Sequence, residues 1–302
     1  MSAPTIAQTP GVAVETAAEA VVAPRRPRSP VARRVLDLVR KPGLVIAAVY
    51  LVMVLAWVFL PALFTSSDPL TGDLAVRLLP PSSSHPFGTD ALGRDLFARV
   101  VHGASTSIQA IVIAVGVALV VGSLIGLVAG FVGGWLDDLL MRVVDVVLAI
   151  PSLLLSLALI TILGYGLLNV AVAVGLASVA TFARLMRADV MRVRTSLYVE
   201  AARSSGSRWW TILGRHVLPN SAGSVAAMAA LEFGTAVLAV SALSFLGYGA
   251  PPPTPEWGRL VSEGRDFMAT SWWLVTLPGL VITLLVLATN RVARAIEKEG
   301  RK

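Results

Sequence analysis

Ser196-Leu197-Tyr198-Val199-Glu200-Ala201-Ala202-Arg203-Ser204-Ser205-Gly206, continued by Ser207-Arg208-Trp209-Trp210 and then His216-Val217-Leu218-Pro219-Asn220, is a polar, arginine-rich island in an apolar chain. Ser196 can cap a short helix, which puts Glu200 near the positive end of that helix. Gly206 suits the residue that ends a helix in the left-handed conformation. Ser207 can cap a second helix, expected to stop before Pro219. The stretch reads as two short helices meeting at a glycine turn outside the membrane, between two hydrophobic spans. It is a docking knuckle.

The chain around it is 56% hydrophobic and 14% charged over 302 residues, against roughly a quarter charged in a soluble domain. With a mean hydropathy of +0.77, the expected class is an all-α polytopic membrane protein. The formal charge of +7 does not imply nucleic acid, because the arginines flank hydrophobic spans rather than form one basic face. Without cysteine there is no disulfide framework and no thiolate metal site.

Six spans are expected: Leu44 to Leu63, Ile108 to Gly130, Val143 to Leu163 with an interruption at Pro151, Leu167 to Phe182, Ala222 to Leu246, and Trp273 to Thr289. Gly122, Gly126 and Gly130 repeat every four residues and allow another helix to approach closely. Asp145 follows Arg142 at intrahelical pairing distance. Residues 1–40 read as a flexible basic tail, 41–105 as the first span with an outer loop, 106–292 as the core with the island at 184–220, and 293–302 as a short basic tail. Basic residues crowd the N-terminal flank, the island and the C-terminus, whereas acids outnumber arginines in the loops after the first and fifth spans. Both termini and the island are therefore expected in the cytoplasm.

The chain has no phosphate-binding loop ending in Gly-Lys-Ser/Thr, no HExxH and no GxSxG. His85, His102 and His216 fall on opposite sides of the expected membrane, so no metal site is expected. Energy must come from a gradient or from a partner.

Glu200-Ala201-Ala202, Gly206 and His216-Val217-Leu218-Pro219 together resemble the EAA loop of ATP-binding-cassette importer permeases. His85-Pro86-Phe87-Gly88-Thr89-Asp90 with Gly93-Arg94-Asp95 and Arg99 is similar to a segment of the dipeptide, oligopeptide and nickel permeases. So are Leu243 to Gly249 with Pro251 to Gly258, and Trp272-Trp273 with Pro278-Gly279-Leu280. The resemblance covers about residues 40 to 290 and points to the dipeptide permease C-type subunit.

This resemblance implies a type I importer permease fold and no chemistry by the chain itself. It implies a homologous permease as heterodimer partner, one or two cytoplasmic ATPase subunits that carry ATP and Mg, and an extracytoplasmic substrate-binding protein; no cofactor is expected on this chain. Glu200, Ala201, Ala202, Ser204, Ser205, Gly206, Ser207 and Arg208 would dock the ATPase. His85, Phe87, Asp90, Arg94 and Asp95 would be outer-loop contacts, and Glu232, in mid-span, would touch the translocation path. Trp257, Trp272 and Trp273 stand where interfacial anchors sit. The tail usual after the last span is replaced here by a basic segment from Arg291, expected as a short amphipathic helix. Within the class, nickel complexes or other small solutes are the alternative cargo. Ion-coupled secondary transport is the alternative from another class, and it would call for paired intramembrane acids and inverted repeats.

Overall fold

A computed structural model describes residues 42–300, with backbone alone for Arg203, Ala222 and 296–300. The segment expected as an N-terminal tail lies outside the described residues, as do Arg301 and Lys302 of the C-terminal one. Regular structure among the described residues is helical: α1 (Pro42–Phe59), α2 (Leu96–Val132), α3 (Gly134–Ala149), α4 (Ser152–Leu163), α5 (Leu167–Arg194), α6 (Leu197–Ser204), α7 (Trp209–Ile212), α8 (Leu218–Phe245), α9 (Trp257–Gly264) and α10 (Trp273–Gly300). Among the described residues five helices are long and apolar enough to cross a membrane, and a sixth span results if α3 and α4 count as one. The last helix runs to Gly300 without a break, and the short basic helix expected from Arg291 forms the end of α10.

Two prolines shape the helices, one as expected and one not. The third span is bent by 99° between α3 and α4. Pro151 forces Ile150 into an extended conformation (φ −94°, ψ 129°), which ends α3 one residue before it. Pro219, by contrast, does not stop its helix. A π turn at Leu213–Val217 joins α7 to α8, with Leu218 N–H donating to the Leu213 carbonyl. The wider turn swings carbonyls away from the proline ring, which would collide with that of Arg215 in a regular helix. One helical rod therefore runs from Trp209 to Phe245.

The bundle is built around α2 and α5. A Cβ on Gly122 would lie 2.5 Å from the Val179 carbonyl oxygen, and one on Gly130 3.0 Å from that of Arg187. Gly126 faces the Ala183 carbonyl still more closely, and Gly175 on α5 returns the contact 2.7 Å from the Ala114 carbonyl. The four-residue glycine stripe, with Gly175, thus lets the two backbones approach closely from Ala114 to Gly130 of α2. At 37 residues, α2 is about 55 Å long, well beyond a hydrocarbon core of roughly 30 Å.

At one end of the bundle, Asp137 and Arg187 pair through both carboxylate oxygens, Arg194 Nη1 caps the last carbonyls of α2 at Gly130 and Phe131, and Ser224 donates to Asp189. Asp145 pairs with Arg184 of α5 rather than with Arg142 of its own helix. The α3 helix lies alongside α5 there, and both side chains are more than half exposed. Such a surface pair adds little stability. At the opposite end, Gly166 N–H donates to the Tyr248 carbonyl and Tyr165 stacks on Tyr248. Tyr50 donates to the Val281 carbonyl and Gly43 meets Arg291, so α1 and α10 run antiparallel and both described chain ends share the end that carries Asp137.

Expected outcome: Gly126→Val forces α2 and α5 apart and destabilises the protein by about 1–3 kcal/mol, read from thermal unfolding in detergent. Gly116→Ala on the same helix, where a Cβ meets nothing within 4 Å, does not lower the midpoint.

Candidate functional site

The knuckle sits at the end that carries Asp137. Its first helix, α6, follows α5 after Thr195 and Ser196. Ser196 starts α6 through its backbone, whose carbonyl accepts from Val199 and Glu200 N–H, while its hydroxyl turns back to the Val193 carbonyl. At the far end Ser205 N–H donates to the Ala201 carbonyl and Ser207 N–H to that of Ala202. The six-residue ring closed by Ser207 is the Schellman pattern, with Gly206 at φ +79° in the left-handed region. Arg208, not Ser207, occupies the N-cap of α7, and no side chain caps that helix.

Val199, Ile212 and Val217 are buried against Phe182, Met186, Val190, Val193 and Val225, so the knuckle rests an apolar face on α5 and α8. The opposite face is open. Glu200, Ala201, Ser204, Ser205, Gly206, Ser207 and Arg208 are exposed and Ala202 half-buried. Around them stand Leu197 at 84% exposure, Trp209 at 59% and Trp210 at 51%, with Arg208 over the Trp210 ring. The result is a patch of small side chains bordered by exposed apolar and aromatic ones.

The second constellation occupies the opposite end. His85, Phe87, Asp90, Arg94 and Asp95 come together in the loop before α2, and the chain itself engages each. Asp95 caps α2, accepting from Ala98 N–H at 2.9 Å, and pairs with His85 Nδ1 at 2.9 Å. Phe87 packs edge-on against Phe97. Asp90 accepts from Arg94 Nε and from Arg99 Nη1, each at 2.7 Å, and Arg99 Nη1 reaches Glu263 Oε2 at 2.7 Å as well. Arg259 Nε closes the cluster on Glu263 Oε1 at 2.9 Å. Burial raises the Glu263 carboxyl, but the Arg99 charge and the hydrogen bonds from Arg99 and Arg259 outweigh it and hold the group below the usual carboxylate range. Asp90, Arg94 and Asp95 are each under a tenth exposed, so their side chains position the loop rather than project from it.

Sequence reasoning passed over Arg259 and Glu263, although their i, i+4 spacing was a usable signal. It also misplaced two tryptophans. Trp257 is fully buried, donating to the Val100 carbonyl, and Trp273 is buried near Thr89. Only Trp272 of the three is exposed. Neighbouring Glu256 is also fully buried. It caps α9 by accepting from Gly258 and Arg259 N–H and takes a further bond from Ser107. Burial pushes its carboxyl above the ordinary range, against those hydrogen bonds. Glu232 lies half-buried midway along α8, away from both constellations.

With this geometry in view, the likeness to known proteins is extensive. The family described as binding-protein-dependent transport system inner membrane component matches residues 122–302. A dipeptide transport system permease protein of Alkalihalophilus pseudofirmus is 40% identical over 250 residues, 83% of this chain and 81% of the relative. A probable D,D-dipeptide permease of Escherichia coli is 38% identical over 81% of this chain and 82% of its own. A glutathione permease of Shigella flexneri is 47% identical over 70% and 69%. Among solved structures, an inward-facing methionine ABC transporter superposes with a TM-score of 0.52 at 17% identity, over 66% of this chain and 96% of that one. An amino acid ABC transporter with histidines gives 0.53 at 14%, over 68% and 95%.

Glu256 and Glu263 give the α9 end a pH signature. The folded state holds the Glu256 proton more tightly than the unfolded chain does, so its contribution is full below the ordinary carboxylate range and is lost as pH rises through its raised value. Glu263 works in the opposite sense: its contribution is full above that range and is lost as pH falls. Glu256→Gln, isosteric with the protonated acid, is expected to flatten the decline of thermal stability as pH rises above the ordinary carboxylate range. Equal slopes for the variant and the parent would contradict this.

Proposed function

Because the chain belongs to the family of binding-protein-dependent transport system inner membrane components, we propose that it is a membrane-spanning subunit of an ATP-driven importer of di- or oligopeptides. It is a multi-pass inner-membrane protein. Together with a homologous permease it forms the translocation path, receives cargo from an extracytoplasmic binding protein, and takes its energy from ATP and Mg held by one or two cytoplasmic ATPase subunits. The relatives named for dipeptides and glutathione support the peptide cargo.

The observation that carries the coupling role is the knuckle's continuity with the spans. One arm, α6, leads out of α5, and the other is the start of the rod from Trp209 to Phe245. Asp189 on α5 and Ser224 on α8 tie the two rods together just inside the knuckle. A push on the exposed face is thereby delivered lengthwise to both helices, and along α8 to Glu232. ATP binding closes the ATPase pair and moves the knuckle, the rods tilt, and the path changes the side it opens to. Hydrolysis resets it, a shift between two packings of the same helices.

The knuckle and both described chain ends share one end of the bundle, in keeping with the basic residues that crowd all three segments. That end is assigned to the cytoplasm, N-in and C-in.

Three outcomes test this reading. In proteoliposomes with partner permease, ATPases and binding protein, a dipeptide is expected to stimulate ATP hydrolysis; stimulation by nickel chelates and by no peptide would overturn the cargo. At Gly206, where a Cβ meets open space, only the positive φ resists substitution. Gly206→Asn should therefore retain most transport, and Gly206→Val should lose most of it while still inserting in the membrane. Glu232→Gln is expected to lower uptake or change peptide preference; unchanged uptake and preference would remove it from the path.

A further inference from the structure

Three rods meet at Phe131, in the last turn of α2. Its carbonyl accepts from Arg194 Nη1 of α5 at 2.9 Å, and the same nitrogen reaches the Gly130 carbonyl at 3.3 Å. A guanidinium on the terminal carbonyls of a helix suits the negative end of its dipole. The ring of Phe131 lies with its centroid 6.2 Å from that of Trp209, tilted by 47°, a separation within the range of favourable aromatic pairs. Trp209 opens the rod that passes through the π turn into α8. Together with Leu127, Phe131 also packs against the apolar cluster that contains Val199, Ile212 and Val217. Phe131 is thus held by α5 through its backbone and by the knuckle through its side chain, so a substitution can separate the two holds.

The consequence lies at the far end of the same helix. Proline is absent from the 37 residues of α2, so a displacement of its last turn is not absorbed at a proline kink. Its opening turns carry the Asp95 cap and Arg99, which bonds Glu263 of α9. We propose that α2 is a third lever, and that Phe131 is the positioning residue through which the Trp209 arm of the knuckle moves it. Movement of the knuckle then reaches the ion cluster at the opposite end along α2, beside the route along α8. This rests on the coupling role proposed above.

The test uses the whole assembly in lipid nanodiscs, with partner permease, ATPases and binding protein all free of native cysteine. Spin labels on Leu92→Cys, an exposed position just before α2, and on an outer loop of the partner permease report their separation by double electron–electron resonance. Adding ATP should move a population of the parent assembly to a new separation. In Phe131→Ala the ratio of moved to unmoved population should fall by roughly two- to tenfold, the weight of one aromatic contact. In a parallel preparation of that variant, Ser205→Cys should still cross-link to the ATPase. Phe131→Tyr keeps the ring and should keep the parent's ratio. A ratio in Phe131→Ala equal to the parent's, or one that Phe131→Tyr fails to restore, would overturn the proposal. So would loss of the Ser205→Cys cross-link in Phe131→Ala, since the ring would then serve the docking surface rather than α2. No ATP-dependent movement in the parent would overturn the coupling role itself, and this proposal with it.

Discussion

The close approach of α2 and α5 is the constraint on which the rest of this molecule depends. Backbone carbonyls of α5 lie where side chains on Gly122 and Gly126 would have to go. Within a bilayer there is no hydrophobic drive between helices, so packing of this kind is what sets their relative position. Once these two rods are fixed, both polar constellations sit at their ends. The ion cluster gathers at the start of α2, and the knuckle follows directly from the end of α5.

The two ends differ in how their polar groups are used. At the start of α2 the charged side chains turn inward, and Asp90, Arg99 and Glu263 bind one another under apolar cover. Removing one partner there strands another charge, so that end is suited to holding a shape. The knuckle end turns its polar and aromatic groups outward and buries only Val199, Ile212 and Val217 beneath them. Its conformation rests on a single left-handed glycine and a π turn, an economical way to join an exposed surface to two long levers.

Much of this was legible in the chain. Apolar runs placed the spans because a lipid-facing helix needs them, and the glycine spacing announced a close helix contact along α2, though not its partner. Gly206 declared the turn, since few residues tolerate its φ. Other features escaped because they depend on partners far away in sequence. Arg99 meets Glu263 across 164 residues, and Trp257 reaches Val100 across 157. Asp145 had a plausible partner in its own helix, and only the tilt of α3 against α5 sends it to Arg184. Pro219 misled for a local reason: a proline ends a regular helix, but a π turn can pass it. Trp257 and Trp273 misled because an amphipathic ring suits both a membrane interface and a core with a carbonyl to receive its N–H.

The most direct measurement takes advantage of a chain without cysteine. A single Ser205→Cys places one thiol beside Gly206 on the knuckle's exposed face, and Leu92→Cys places one at the other end of the bundle. In the assembled transporter, with cysteines introduced on the ATPase surface, Ser205→Cys is predicted to cross-link to the ATPase subunit with an efficiency that changes when ATP is added, and Leu92→Cys is not. Cross-linking of the ATPase from Leu92→Cys and none from Ser205→Cys would contradict the coupling role assigned to the knuckle.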